Sequence, residues 1–214
     1  MRYHNITTAD MMNGEGLRVV LWLSGCSHHC YNCQNPVTWD ENDGLIFDES
    51  AKKELFRGLD KDYISGLTLT GGDPLFESNL DDVLDLVTEI NKRYNFQKVD
   101  SANPCKMGVS EVENTDKIRL LFPNKSIWLY SGYTWEECQP FSEEGLLKGS
   151  SIAPNLQKIL YKRQQIITLC DVMVDGRYID SQRNPSKKWA GSDNQRVIDT
   201  RKSLEQNKIV LHCD

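Results

Sequence analysis

The segment Gly25-Cys26-Ser27-His28-His29-Cys30-Tyr31-Asn32-Cys33-Gln34-Asn35-Pro36 carries three cysteines at C-x3-C-x2-C spacing, directly behind the apolar run Leu17-Arg18-Val19-Val20-Leu21-Trp22-Leu23. Three thiols on one short loop at the end of a strand can converge on a single point. Thiolates are soft ligands that suit iron–sulfur clusters, zinc or copper(I), so spacing alone leaves the metal open. The pattern contains no fourth protein ligand. Three protein ligands leave a coordination position free, and free positions belong to chemistry more often than to stapling. A zinc knuckle completed by His28 or His29, or three unrelated thiols in a reduced loop, are the competing readings of the same spacing.

Two other turn-rich segments stand behind apolar runs. Gly71-Gly72-Asp73-Pro74 follows one, and glycines there let backbone approach a neighbour closely. A plain strand-end turn reads the same way. Ser131 in Ser131-Gly132-Tyr133 follows another, and its short hydroxyl can donate and accept, or merely form the turn. His28 and His29 lie inside the cysteine loop, where a histidine more often bonds sulfur or backbone than ligates. Arg177, Arg183, Lys187 and Lys188 surround Asn184-Pro185-Ser186, followed by an exposed-looking Trp189, a docking surface or a solvated loop. Cys105, Cys138, Cys170 and Cys213 are dispersed and read as inert thiols or small buried hydrophobes.

The elements that must position these groups alternate. Residues 17–23, 64–70, 126–130 and 171–174 read as short buried strands, with 209–211 as a late edge strand. Asp48 or Ser50 caps a helix with Ala51, Leu55, Phe56 and Leu59 on one face. Ser78 caps another carrying Leu80, Val83, Leu84, Val87 and Ile90, and Thr134-Trp135-Glu136-Glu137 is a capping box. Leu156, Ile159, Leu160 and Ile167 mark a further helix. Strands alternating with helices make parallel β/α units, too few for a closed eight-fold barrel, so the fold class is α/β with an open or partial barrel. In such sheets the site lies at the carboxyl ends of the strands, and all three turn-rich segments follow strand ends. Residues 97–123 break the rhythm and read as a surface insertion in a single domain spanning 1–214.

The 214 residues carry a net charge of −6, spread without long runs. That balance disfavours nucleic acid or an anionic membrane as principal partner. The seven cysteines are an odd number with three crowded together, the usage of a reducing compartment. No apolar stretch reaches bilayer length and the N-terminus lacks a signal-peptide core, so the expected address is cytoplasmic.

Cys26, Cys30 and Cys33 match the cluster motif of the radical S-adenosylmethionine superfamily. With Asn13-Gly14-Glu15-Gly16, Asn35-Pro36-Val37-Thr38-Trp39, Gly71-Gly72-Asp73-Pro74, Ser131-Gly132-Tyr133 and Val174-Asp175-Gly176-Arg177-Tyr178, the chain resembles the glycyl radical enzyme activases, specifically those of anaerobic ribonucleoside-triphosphate reductase. The resemblance extends to about Val197, with a poor match between about Tyr94 and Pro123. It implies an oxidoreductase with a partial parallel β/α barrel and a [4Fe-4S] cluster on the three cysteines. It implies S-adenosylmethionine held by Gly71, Gly72, Asp73 and Pro74, with Ser131 at the ribose. Many superfamily members carry Glu where Asp73 stands. Asn32 occupies a position that is often aromatic or large, so Tyr31 or backbone stands in for an adenine contact there. The implied partners are the glycyl radical subunit of the reductase and a low-potential electron donor. Activation of another glycyl radical enzyme, such as pyruvate formate-lyase, and a non-enzymatic zinc-binding interaction module are the alternatives.

Overall fold

The computed structural model describes residues 1–95, 124–138 and 154–213. Seven strands form one sheet: β1 (Arg2–Asp10), β2 (Arg18–Leu23), β3 (Leu45–Ile46), β4 (Gly66–Gly71), β5 (Ser126–Tyr130), β6 (Val172–Asp175) and β7 (Arg196–Asp199). Their order is β3-β1-β2-β4-β5-β6-β7. The four central strands β2, β4, β5 and β6 are parallel, while β1, β3 and β7 are antiparallel additions at the two sides. The sheet is open, with β3 and β7 at its edges.

Four helices accompany the sheet among the described residues: α1 (Glu49–Leu59), α2 (Leu80–Tyr94), α3 (Pro154–Leu169) and α4 (Thr200–Gln206). Strand side chains alternate between faces, and the burial follows. Val19, Leu21 and Leu23 of β2, Leu67 and Leu69 of β4, Ile127 and Leu129 of β5 and Met173 of β6 join one core with Leu55, Leu59, Val83, Val87, Ile90 and Ile167 of the helices. The intervening residues Trp128, Val172, Val174 and Val197 form a second cluster on the other face, where Tyr130, Trp189, Ala190 and Cys213 pack against them.

That inner face is closed at the amino ends of the strands by Arg18, which is fully buried. Its Nε donates to Thr68 Oγ1 (2.7 Å), one Nη to the Glu15 carbonyl and Ser126 Oγ (3.1 and 2.9 Å), and the other to the Leu67 and Ser126 carbonyls (2.6 and 2.8 Å). A guanidinium has five N–H donors, and here each has an acceptor. Gly14 makes this possible, because with φ near 125° a Cβ there would lie 2.8 Å from Arg18 Cδ.

Several sequence expectations change. Asp48 does cap α1, accepting from the Ser50 and Ala51 amides, but Ser78 does not cap α2. The chain enters α2 through a 3-10 turn, Glu77–Asn79, and the Asn79 amide group donates to the Ser24 and Asp73 carbonyls. Thr134 and Glu137 form the reciprocal box, opening the short 3-10 turn Glu136–Cys138. Residues 209–211 supply only an isolated bridge from Leu211 to Ile198. Leu156 is exposed on α3, whose buried positions are Arg163, Ile166 and Ile167. β1, β3, β7 and α4 have no counterpart in the sequence reading. The inferred insertion at 97–123, with Cys105, lies outside the described residues. No helix among the described residues is long and apolar enough to cross a membrane.

Candidate functional site at the carboxyl ends of the parallel strands

Three adjacent parallel strands deliver the three segments to one rim. β2 runs into the cysteine loop, β4 into Gly71-Gly72-Asp73-Pro74, and β5 into Ser131-Gly132-Tyr133. The first two are stitched together at once: the Gly72 N–H donates to the Leu23 carbonyl (2.7 Å) and the Asp73 N–H to the Gly25 carbonyl (2.8 Å). A Cβ on Gly72 would lie 2.5 Å from the Gly25 carbonyl oxygen, and one on Gly71 2.9 Å from the Leu23 nitrogen. The close approach these glycines permit is therefore to the base of the cysteine loop itself. Between the three segments lies an open cavity of about 500 Å³ lined by Cys26, Cys30, Cys33, Gly71, Gly72, Asp73 and Ser131.

Asp73 is the clip of this rim, with 2% of its surface exposed. Its Oδ1 accepts from the Leu75 amide (2.8 Å) and the Ser131 hydroxyl (2.9 Å); its Oδ2 accepts from the Gly132 amide (2.9 Å) and faces His28 Nε2 (2.8 Å). One carboxylate thus ties the loops after β2, β4 and β5. Ser131 spends its only proton on Asp73 and accepts from the Tyr133 amide (3.1 Å), so toward a ligand it retains acceptor capacity alone. His28 packs edge-on against Tyr133, at 4.5 Å between ring centroids, and Arg163 of α3 lies over the same Tyr133 ring at 3.6 Å. Arg163 Nε also donates to the Leu75 carbonyl (2.9 Å), so α3 braces the rim from behind.

The loop is wound to suit thiolates. His29 and Asn32 adopt left-handed backbone, with φ of 45° and 52°; Asn tolerates that region better than most residues, which accounts for Asn32 before the third cysteine. The Asn35 amide donates to Cys33 Sγ (3.4 Å), and backbone amides of His28 and His29 near Cys26, and of Tyr178 near Cys30, favour the thiolates. Burial nevertheless pushes the Cys26 thiol up to about 11, with Asp73 adding to the rise, so deprotonation there waits on a cation. Among the described residues no three His, Cys, Asp or Glu side chains lie close enough to share one metal ion. The three thiols line one cavity, and soft thiolates with no fourth cysteine among the described lining residues suit a cluster that keeps one iron open. Two buried polar atoms of cavity-lining residues, His28 Nδ1 and the Tyr130 hydroxyl, have no hydrogen-bond partner among the described residues. The amides near sulfur fit a group held by the three cysteines, and these two atoms are left for a polar ligand.

The far wall is the segment that follows β6. Tyr178, Arg183, Lys187 and Trp189 line the cavity. Trp189 is half-buried, packed edge-on against Trp128 at 4.9 Å, in contrast to its exposed look in the sequence. Asp175 anchors the segment by accepting from Arg196 Nε (3.0 Å) and from the Trp135 amide (2.8 Å). These bonds, with Glu136, hold the Arg196 guanidinium firmly protonated.

The cysteines, Gly71, Gly72, Asp73 and Ser131 come together as the sequence reading requires. Pro74 is buried behind the rim, and Tyr31 and Asn32 stay outside the cavity, Tyr31 with 78% of its surface exposed. Arg163, Gly132 and the orienting role of His28 were missed, because each depends on contacts between segments 30 to 105 residues apart. The spacing of His28 two residues after Cys26 was the only signal for it.

The chain matches the family model described as a 4Fe-4S single cluster domain over residues 12–104 and 110–198. It is 34% identical over 198 residues to the anaerobic ribonucleoside-triphosphate reductase-activating protein of Enterobacteria phage T4, covering 92% of this chain and 93% of that one. The proteins of the same name from Escherichia coli K12 and Pasteurella multocida are 29% and 32% identical, over 92% and 91% of this chain and 97% and 95% of theirs. The chain therefore belongs to the 4Fe-4S single cluster domain family and, within it, to the anaerobic ribonucleoside-triphosphate reductase-activating proteins.

Proposed function

We propose that this chain is a cytoplasmic radical S-adenosylmethionine activase that installs a glycyl radical on an anaerobic ribonucleoside-triphosphate reductase, with the sheet as its partial barrel. The observation that carries the reading is the composition of one cavity: three cysteines and, among the described residues, no fourth in its lining, beside a glycine-rich turn at the neighbouring strand end. When bound, the [4Fe-4S] cluster and S-adenosylmethionine supply the one-electron cleavage that gives a deoxyadenosyl radical, which takes hydrogen from a glycine of the partner.

Cys26, Cys30 and Cys33 hold the cluster, while Gly71 and Gly72 bring backbone of the β4 turn beside it. Asp73 and Ser131 keep that turn and the β5 turn in register with the loop through their mutual hydrogen bonds. The cavity is open, so a partner segment must complete the exclusion of water. Arg183 and Lys188, exposed on the far wall, are suited to meet that partner. Supplied with dithionite, anaerobically purified protein should cleave S-adenosylmethionine to methionine and 5′-deoxyadenosine, and Cys26→Ala should not. A colourless wild-type protein with one stoichiometric zinc contradicts the reading.

A further inference from the structure

Tyr130 ends β5 with a hydroxyl that the chain leaves unused. The parallel strands lie in register there, Trp22 beside Thr70 and Tyr130 beside Val174, so the four form one layer across the inner face. Trp22, Thr70 and Tyr130 line the cavity just beneath the rim. The Tyr130 ring packs on the inner cluster, its hydroxyl oxygen is buried, and that oxygen has no hydrogen-bond partner among the described residues. Burial pushes its pKa above the ordinary phenol range, so the proton stays on and the group can donate. The titratable groups that act on it, Arg18, Asp10 and Cys213, belong to the amino ends of the strands and to the tail. A buried hydroxyl without a bond is costly, and one kept in a cavity wall calls for a partner from outside the chain.

The surroundings say what that partner is. The side chains that share this layer and this cluster, Trp22, Val174, Trp189 and Ala190, are apolar, and the cation that acts on the hydroxyl, Arg18, has every donor taken. Such a wall offers nothing to the charged ends of S-adenosylmethionine and suits a neutral segment. A peptide carbonyl that leaves water to enter the cavity must find a donor, and the Tyr130 O–H is one. We infer that the Tyr130 hydroxyl positions the partner's glycine-bearing segment by donating a hydrogen bond to one of its backbone carbonyls. The inference rests on the activase reading above and adds to it a residue that meets the protein substrate. With no side chain to grip, a glycine is held through its peptide groups, and its bare backbone can come close to the wall.

Tyr130→Phe removes the hydroxyl and keeps the ring. Three measurements on the anaerobic, cluster-loaded protein separate the possible partners of that hydroxyl. Glycyl radical formed on the anaerobic reductase is followed by electron paramagnetic resonance as the reductase concentration is varied. S-adenosylmethionine affinity is measured without reductase, and stability by urea unfolding. In Tyr130→Phe, kcat/KM for the reductase should fall about tenfold, the effect of a desolvated carbonyl left without its donor. S-adenosylmethionine affinity and the urea midpoint should not fall, since the lost group had no bond to either the cofactor or the chain. An unchanged kcat/KM overturns the inference. Weaker S-adenosylmethionine binding also overturns it, by giving the hydroxyl to the cofactor, and a lower urea midpoint does so by placing its partner within the chain. Wild-type protein that forms no glycyl radical on the reductase sinks the activase reading instead.

Discussion

The two ends of the parallel strands solve the same problem in opposite ways. At the amino ends Arg18 is buried with all five donors matched inside the protein. At the carboxyl ends Asp73 is buried to nearly the same degree and equally well bonded, yet among the described residues Nδ1 of its neighbour His28 has no partner, and neither has the hydroxyl of Tyr130, one residue before Ser131. Burying a charge is tolerable when its bonds are complete. The first end is closed chemistry, whose product is stability; the second leaves groups over for a ligand. That asymmetry is the physical ground for placing the proposed site at the second end.

The sharpest way to break the contrast is through the cysteines. Cys26→Ala, Cys30→Ala and Cys33→Ala should each abolish the cluster, counted as about four irons per chain in wild type if one cubane is bound. Cys138→Ala should keep all of them, since Cys138 is a buried thiol whose proton burial holds up to about 12. Iron loss in Cys138→Ala, measured on anaerobically purified protein, would show the ligand set to be wrong.

Arg18→Met tests the other end. It removes the donors to the Thr68 and Ser126 hydroxyls and to the Glu15, Leu67 and Ser126 carbonyls, leaving the hydroxyls only their own bonds to the Asn13 and Ser65 carbonyls. A loss of more than about 3 kcal/mol in urea unfolding is expected, while protein still folded keeps its iron. A stable Arg18→Met protein with lost iron would mean the two ends are not separate in function.

How far each end was legible in the sequence follows the same division. The rim was readable because turn residues follow short apolar runs, and the continuous burial that the run Leu17-Arg18-Val19-Val20-Leu21-Trp22-Leu23 implies is what β2 shows, with only Trp22 less than buried. The amino-end network was not, since an arginine inside an apolar run gives no sign of five acceptors drawn from three separate segments. β1 and β7 escaped for a related reason: both are side strands with mixed burial, and polar residues such as Asn5, Thr7 and Arg196 mask their alternation. The glycine pair was located correctly, but its crowding by Leu23 and Gly25 is visible only in three dimensions. Trp189 read as exposed because charged residues flank it, whereas the aromatic partner that buries it, Trp128, lies 61 positions earlier.

A smaller effect probes the far wall. Lys187 is engaged within its own segment, donating to the Asp193 carbonyl (2.7 Å), whereas Lys188 is exposed and lies over the Trp189 ring at 5.8 Å. Lys188→Glu should therefore reduce activation of the reductase several-fold by charge reversal at the docking face, with iron content and S-adenosylmethionine affinity unchanged. Equal activation in the variant removes this face from the interface.

The central claim, that the carboxyl-end cavity serves radical transfer to another protein, is tested most directly by electron paramagnetic resonance on the complete mixture. Reduced, cluster-loaded protein with S-adenosylmethionine should produce a stable protein glycyl radical when the anaerobic ribonucleoside-triphosphate reductase of the same source is added, and none when Cys30→Ala replaces wild type. A radical formed on pyruvate formate-lyase but absent on that reductase, or no radical on either while the cofactor is cleaved, would contradict the account.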